Sequence, residues 1–483
     1  MNYSDSARIK AVLQHCGWMH VDDIAQADVV ILDTCSVRQK SEDKVWGQIK
    51  ELAPTQKVRL TWCMIQHNLN LKKAQTTKSK KYPKGNFLHS LLTNEPTLVG
   101  FLPLEEDDSL KRIARAFAQA TDDQTGNLLY INHAFDPLFR QMQAVFPNVE
   151  LFFRINDTWF LPLMMKHLGY EVTYESELTN EYLGIIPQNA NMLFKEKTKT
   201  AYLPISTGCS QFCAYCIVPY ARGLEKHRNI DEIIAEAKAH LASGAEEIVL
   251  LGQIVNKHPD FCAILQGILA LPGLVWLRYT SPYPTYFSKE LFALHESEEK
   301  LCPHIHMPLQ SGSTAVLKKM FRGYTAEQYK EFVDQLRALN RPISITSDII
   351  VGFCDETEED FEQSLALAEY SQFDMIYMGI YSPRPGTYGA KKYEDNVPLA
   401  VKKERRQRLN ALLITMSDKN NELDIGTTQR VMLREEKDDV FLGYNESMKT
   451  IVVNKVAQAE VGQFVTAKVT GKKAFTLFGD IIS

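Results

Sequence analysis

Three cysteines fall within eight residues, Cys209, Cys213 and Cys216, in the stretch Gly208-Cys209-Ser210-Gln211-Phe212-Cys213-Ala214-Tyr215-Cys216. The pattern is C-x3-C-x2-C, and spacing this close brings three thiols together on one short loop. Three thiolates can hold three irons of a cubane iron–sulfur cluster and leave the fourth iron open to a ligand. A disulfide asks for an oxidising compartment, of which the chain gives no other sign. Zinc asks for a fourth Cys or His close by, typically in paired C-x2-C units. The next downstream histidine is His227, with no second pair beside it. The cluster reading is therefore preferred.

The elements that must position this loop belong to a chain of 483 residues, which suggests two to four domains. Apolar residues make up 45% and charged residues 23%, as in globular proteins. No run of about 18 apolar residues offers a membrane span. The start Met1-Asn2-Tyr3-Ser4-Asp5-Ser6 lacks a basic-then-apolar signal pattern. A cytoplasmic location is expected, where nine cysteines read as metal ligands and core residues. A net charge of −5 argues against a surface broadly coated by nucleic acid and leaves room for a local basic groove.

The first region reads as α/β. Ile9, Val12, Leu13 and Cys16 make one apolar face of a helix over 4–17, with Gly17 as its stop. Val29-Val30-Ile31-Leu32 and Val58-Arg59-Leu60-Thr61-Trp62 read as strands, with a helix over 41–52 between them. Cys35 and Cys63 follow these strands, at the edge where open parallel sheets bind ligands. Isolated cysteines are most often buried small apolar groups, and on spacing alone these two read that way. Lys72, Lys73, Lys78, Lys80, Lys81 and Lys84 crowd a polar stretch that reads as a solvated loop, with RNA contact as the sharper option. The stretch 87–147 has apolar segments to which no chemistry is assigned. A strand over 149–154 and a helix over 161–168 close the region, and a polar connector spans 185–200.

From Ala201 strand and helix alternate. Strands are predicted at 202–206, 248–251, 275–280, 305–309, 343–351 and 375–381, and helices include 231–241, 325–339 and 358–369. Six βα units are too few for a closed eight-fold barrel and suit an open partial one, with its site on the loops after the strands. Cys209 lies on that face. A basic helical stretch opens at Lys402. From about Gly426, five short β-like runs read as a small antiparallel barrel.

With an aromatic Tyr215 just before the third cysteine, the cluster loop resembles that of the radical S-adenosylmethionine superfamily. Reading outward, the chain resembles the methylthiotransferases, most closely their tRNA-modifying MiaB type. The stretch 33–45, Asp33-Thr34-Cys35-Ser36-Val37-Arg38 onward, is similar to N-T-C-x-V-R-x-K-A-E-x-K-V, and Trp62-Cys63-Met64 to G-C-M. Leu250 to Asn256 resembles L-L-G-Q-N-V-N, Pro308 to Ser313 matches P-L-Q-S-G-S, Thr346 to Phe353 resembles T-D-I-I-V-G-F, and Tyr381 to Thr387 matches Y-S-P-R-P-G-T. Cys354-Asp355-Glu356-Thr357 departs from the usual P-G-E-T, a change expected to alter the turn. The tail resembles a TRAM domain, with Lys468, Lys472 and Lys473 as candidate phosphate contacts.

The resemblance implies an N-terminal methylthiotransferase domain over 1–170 carrying an insertion at 66–147, a radical S-adenosylmethionine core over 195–424, and an RNA-binding β-barrel over 425–483. It implies two [4Fe–4S] clusters, one on Cys209, Cys213 and Cys216, the other an auxiliary cluster on Cys35, Cys63 and a third cysteine. The family's third cysteine precedes the first helix in G-C-Q-M-N; this sequence begins at Met1-Asn2, as a truncated chain or misplaced start would, which puts the auxiliary cluster in doubt. Cys16 lies on the apolar face of its helix and reads as core. S-adenosylmethionine is expected against Gln253, Gln310, Ser311, Arg322 and Asp348; no catalytic side chain is assigned. The implied reaction is methylthiolation of C2 of N6-isopentenyladenosine at position 37 of tRNA. Its partners are tRNA and an electron donor such as a flavodoxin or ferredoxin, with no membrane, and the chain is expected to be a monomer. The alternatives are action on threonylcarbamoyladenosine in tRNA or on a ribosomal protein, or a degenerate RNA-binding member that inserts no sulfur.

Overall fold

The computed structural model describes residues 199–482 continuously and, before them, 6, 9–10, 12–14, 17–21, 26–34, 57–62, 149–153, 165 and 171. Two compact units divide the chain, Met1–Lys195 with Tyr220–Gly223, and Glu196–Pro219 with Leu224–Ser483. Cys16, Cys35, Cys63, the lysine run, the stretch 66–147 and the helix expected at 41–52 lie outside the described residues.

In the first unit, strands β1 (Val29–Thr34), β2 (Lys57–Trp62) and β3 (Val149–Phe153) form a parallel sheet in that order. Ile9 and Val12 are buried, as the helical face requires, and Gly17 takes a left-handed φ of 88°. The register pairs Thr34 with Trp62, so the carboxyl ends of β1 and β2 are level.

The second unit opens with six parallel strands, β4 (Thr200–Pro204), β5 (Glu247–Leu251), β6 (Trp276–Tyr279), β7 (His304–His306), β8 (Ser344–Val351) and β9 (Met375–Ile380). They form two three-stranded sheets, β4-β5-β6 and β7-β8-β9. A parallel bridge from Leu277 to Leu301 joins the two: the Leu277 amide donates to Lys300 O at 2.8 Å and the Cys302 amide to Leu277 O at 3.0 Å. Sequence order is thus spatial order, which gives the expected open partial barrel. Every residue of β5 is buried, which is why it reads as an unbroken apolar run after Glu247.

The outer helices are α1 (Ile230–Ala242), α2 (Phe261–Leu269), α3 (Lys289–Ser297), α4 (Thr314–Lys319), α5 (Ala326–Arg337), α6 (Glu358–Ser371) and α7 (Leu399–Glu422). Capping boxes start α5 at Thr325 with Gln328 and α6 at Thr357 with Asp360. The turn before α6 is where Cys354-Asp355 replaces the usual Pro-Gly. Asp355 sits there in the left-handed region, φ 60°. Lys319 pairs with it at 2.6 Å, and Asn396 both accepts its amide proton, at 2.9 Å, and donates to its carboxylate, at 2.5 Å. Those contacts hold a conformation that glycine adopts freely. Arg405 on α7 ties the same turn down through Glu356 at 2.8 Å.

His295 on α3 is fully buried and hydrogen-bonds through Nε2 to the Tyr279 hydroxyl at 2.5 Å. Burial, helped by the Arg341 charge, pushes its pKa from the ordinary 6.5 down to about 3. Between those values the unfolded chain binds a proton that the folded chain refuses, so stability rises with pH through that window and is lost on acidification. The urea midpoint is expected to fall between about pH 7 and about pH 5, and to fall less steeply in His295→Gln.

Five strands close the C-terminal barrel: β10 (Thr428–Lys437), β11 (Val440–Asn445), β12 (Thr450–Asn454), β13 (Phe464–Lys473) and β14 (Thr476–Ile481), in the order β10-β11-β12-β14-β13. The barrel is not wholly antiparallel, because β12 and β14 pair in parallel. Alternating directions cannot close on an odd number of strands, so one parallel pair is required. Helix α7 clamps this barrel to the core. Asn421 donates to Lys473 O at 2.9 Å, and Ser417 donates to Asp374 O at 3.0 Å and to Ala474 O. Lys472 is committed to Asp418 at 2.5 Å and Glu422 at 3.1 Å, so it serves this clamp rather than standing ready for phosphate. Among the described residues, no helix is long and apolar enough to cross a membrane.

Candidate functional site

The cysteine loop leaves the carboxyl end of β4. Gly208 (φ 71°) and Phe212 (φ 50°) both take left-handed conformations that fold it back on itself. The Cys216 amide donates to Cys213 O at 2.9 Å, closing the C-x2-C turn. Neighbouring loops pin it. The Ala214 amide donates to Met320 O at 2.9 Å, and the Gly389 amide donates to Ala214 O at 2.7 Å. A Cβ on Gly389 would stand 2.9 Å from that same oxygen, so the approach requires glycine. Gln211 donates to the Tyr283 hydroxyl at 3.2 Å, and the Gly323 amide donates to it at 2.8 Å.

Cys209 and Cys213 are each 8% exposed. Burial, with Cys213 nearby, pushes the Cys209 thiol up. Burial, with Cys213 and Cys209 nearby, pushes Cys216 up to about 12. Cys209 and Cys216 therefore hold their protons until a metal displaces them, since a coordinating thiol is bound as thiolate. Among the described residues no three Cys, His, Asp or Glu side chains converge on a point, as a single ion requires. A cubane asks for something else, one thiolate to each of several irons, and a loop of three separate thiols, two buried and one half-buried, fits it.

Arg322, in the loop after α4, reaches into this site. Its Nη1 lies 3.5 Å from Cys213 Sγ and 3.5 Å from the Tyr215 hydroxyl, its Nη2 donates to Pro308 O at 3.2 Å, and its Nε donates to the Tyr324 hydroxyl at 3.1 Å. Gln310 is buried just beyond β7, with φ 70° and its backbone bridged to β8: its amide donates to Asp348 O at 2.8 Å and its carbonyl accepts from Ile350 N at 2.9 Å. Gln310 and Asp348 are thus brought together, while Gln253 follows β5. Ser311 is fully buried and engaged with Ser364 Oγ at 3.3 Å and the Ser313 amide at 3.2 Å. Its hydroxyl docks the loop onto α6. Between the two serines, a Cβ on Gly312 would meet Gln363 O and Ser364 Cα at 2.5 Å. Gly312→Ala is expected to cost about 1–3 kcal/mol, read as a lowered thermal midpoint, because backbone cannot yield as a side chain can.

Thr346 and Asp348 share one face of β8. His306 Nδ1 lies 3.0 Å from Thr346 Oγ1 and its Nε2 lies 3.2 Å from Asp348 Oδ2, while His304 Nε2 lies 3.0 Å from the same threonine. Below them is a cavity of about 260 Å³ lined by His304, His306, Tyr377, Arg278, Tyr444 and Arg434 among others. At about 260 Å³ it is smaller than the roughly 300–1,000 Å³ of common ligand sites. Tyr283 and His306, absent from the sequence reading, have no spacing signal; only the fold brings them to the loop ends.

Residues 203–368 match the radical SAM superfamily, residues 422–482 the TRAM domain, and residues 1–80 an uncharacterized protein family, UPF0004. A protein of Geobacillus kaustophilus named tRNA-2-methylthio-N(6)-dimethylallyladenosine synthase is 31% identical over 499 residues, covering 100% of this chain and 80% of the relative. A protein of the same name from Carboxydothermus hydrogenoformans is 30% identical, covering 100% of this chain and 97% of its own length. Among solved structures, the radical S-adenosylmethionine methyltransferase TsrM of Kitasatospora setae matches at 12% identity and a TM-score of 0.42, over 79% of this chain and 73% of that one. Full-length identity at this level, over a chain whose first barrel strand delivers the three-cysteine loop, places it: the chain belongs to the radical S-adenosylmethionine methylthiotransferases of the MiaB type.

Proposed function

We propose that this enzyme methylthiolates C2 of N6-isopentenyladenosine at position 37 of tRNA. The observation that carries the reading is the agreement of relatives of that one activity along the whole chain, with the three-cysteine loop intact. Cys209, Cys213 and Cys216 are the ligands of the radical-generating cluster, and Gln310 and Asp348 remain candidates for contact with S-adenosylmethionine. Cys35 and Cys63, which follow β1 and β2 in sequence, are the candidate ligands of an auxiliary cluster, and iron analysis decides whether it forms. The domain bounds are 1–170, 195–424 and 425–483, with the insertion at 66–147.

An adenine C2–H bond is unactivated, and the bound cluster and S-adenosylmethionine supply the radical chemistry it demands. The chain's part is to hold three thiolates in a half-buried loop, and to admit a base unstacked from the anticodon loop. Electrons come from a flavodoxin or ferredoxin, and the enzyme works as a cytoplasmic monomer.

Nucleoside mass spectrometry of tRNA from a strain lacking this gene tests the reading. The 2-methylthio derivative of isopentenyladenosine should vanish and its unthiolated precursor accumulate. Loss of a threonylcarbamoyladenosine derivative instead would move the substrate to the close relative. Iron analysis tests the auxiliary site: about eight irons per reconstituted chain mean two cubanes, and about four mean one.

A further inference from the structure

We infer that Arg322 sets the reduction potential of the cluster on Cys209, Cys213 and Cys216 by placing a fixed positive charge and an N–H donor on the Cys213 sulfur. This role rests on the cluster assignment proposed above. Arg322 is a rigid fitting rather than a free arm. Three of its nitrogens are held by Cys213 Sγ and Tyr215 (3.5 Å each), Pro308 O (3.2 Å) and Tyr324 (3.1 Å). Its guanidinium also lies 4.5 Å from the Tyr283 ring centroid and 5.1 Å from that of Tyr324. These partners are neutral, and among the described residues no carboxylate forms an ion pair with it. Guanidinium stays charged at any working pH, so its charge is left for the cluster.

The step affected is the gain of one electron by the oxidised cubane, with no proton moved and no bond made or broken. The reduced cubane carries one more negative charge, shared between its irons and their sulfur ligands. A donor hydrogen bond to a ligand sulfur and a nearby cation both favour that state, since cluster potentials follow net charge, hydrogen bonds to sulfur and exposure. Lysine keeps the charge but not the planar fork that meets sulfur, carbonyl and phenol at once.

The test uses the full chain carrying Cys35→Ala and Cys63→Ala, so that a single cluster is read, reconstituted anaerobically with iron and sulfide. Its midpoint is measured by potentiometric titration with dithionite, followed by electron paramagnetic resonance. Arg322→Met is expected to lower the equilibrium constant for reduction at least tenfold, a midpoint about 59 mV more negative, with Arg322→Lys between it and the parent. If Arg322→Met fails to hold iron, Arg322→Gln, which keeps an N–H but loses the charge, decides by the same comparison. A midpoint equal to the parent's at equal iron content overturns the inference. So does an unmoved midpoint with weakened S-adenosylmethionine binding, which would make Arg322 a ligand contact instead. A parent chain that takes up no cluster removes the cluster assignment itself, and the role of Arg322 with it.

Discussion

Replacing Cys213 with alanine should abolish the visible absorbance of the reconstituted cluster in the Cys35→Ala, Cys63→Ala background and lower S-adenosylmethionine cleavage by more than about a hundredfold. Changes one shell out from a metal cost about ten- to a hundredfold, and loss of a ligand exceeds that. The backbone argument makes the test clean. Cys213 contributes its carbonyl to the turn, accepting from the Cys216 amide at 2.9 Å, and its neighbour Ala214 carries the contacts to Met320 and Gly389. Alanine keeps all of these, so the loop persists while one iron loses its thiolate. Cys302 is the matching control. It is buried at 2% exposure beside Trp276, Met432 and Tyr444, in a cluster of core residues apart from the loop. Cys302→Ala should cost stability and leave the absorbance whole. Full iron content and absorbance in Cys213→Ala would remove Cys213 from the ligand set.

The loop was legible because three thiols at short spacing are a local signal. The barrel strands were legible for a different reason, clearest in β5: a strand buried at every residue is written as an apolar run, here Ile248 to Leu251. What spacing does not encode is partnership across the fold. Arg322 lies over a hundred residues from Cys213; the sequence reading offers it as a cofactor contact, and only the fold shows it beside the sulfur. Ser311 shows the converse. A hydroxyl at a strand end has the chemistry of a ligand contact, yet its oxygen is used in packing against Ser364. Lys472 reads as a phosphate contact for the same reason, and α7 supplies the carboxylates that claim it. Cys35 and Cys63 were not legible from spacing at all; resemblance alone separated them from core cysteines. The register levels the ends of β1 and β2 at Thr34 and Trp62, and Cys35 and Cys63 themselves lie outside the described residues.

Glu247→Ala should destabilise the second unit by about 3–5 kcal/mol, the cost of removing one member of a buried ion pair and leaving its partner's charge unpaired. Glu247 opens β5 at 1% exposure and accepts from Arg278 Nε at 2.7 Å, from Thr200 Oγ1 at 2.7 Å and from the Tyr444 hydroxyl of the C-terminal barrel. Arg278 completes the joint by donating to Glu446 O at 2.5 Å and Asn445 O at 2.9 Å, with its guanidinium 4.8 Å from the Trp276 ring centroid. Burial and the Glu247 charge hold the Tyr444 phenol far above its ordinary range, so it remains a donor at every working pH. At this point of the core–barrel joint one buried carboxylate is shared by three donors. Urea unfolding followed by fluorescence, in a chain whose other four tryptophans are replaced by phenylalanine, reads the joint at Trp276, since that indole packs 4.6 Å from Phe464 of the barrel. Glu247→Gln should fall between alanine and the parent, keeping an acceptor while losing the charge. Arg408→Ala sets the scale: its pairs with Glu358 and Glu362 lie at the surface, where water screens them, and should cost no more than about 1 kcal/mol. If Glu247→Ala costs no more than Arg408→Ala, the barrel is held by α7 and apolar contact alone, and the carboxylate is not the joint.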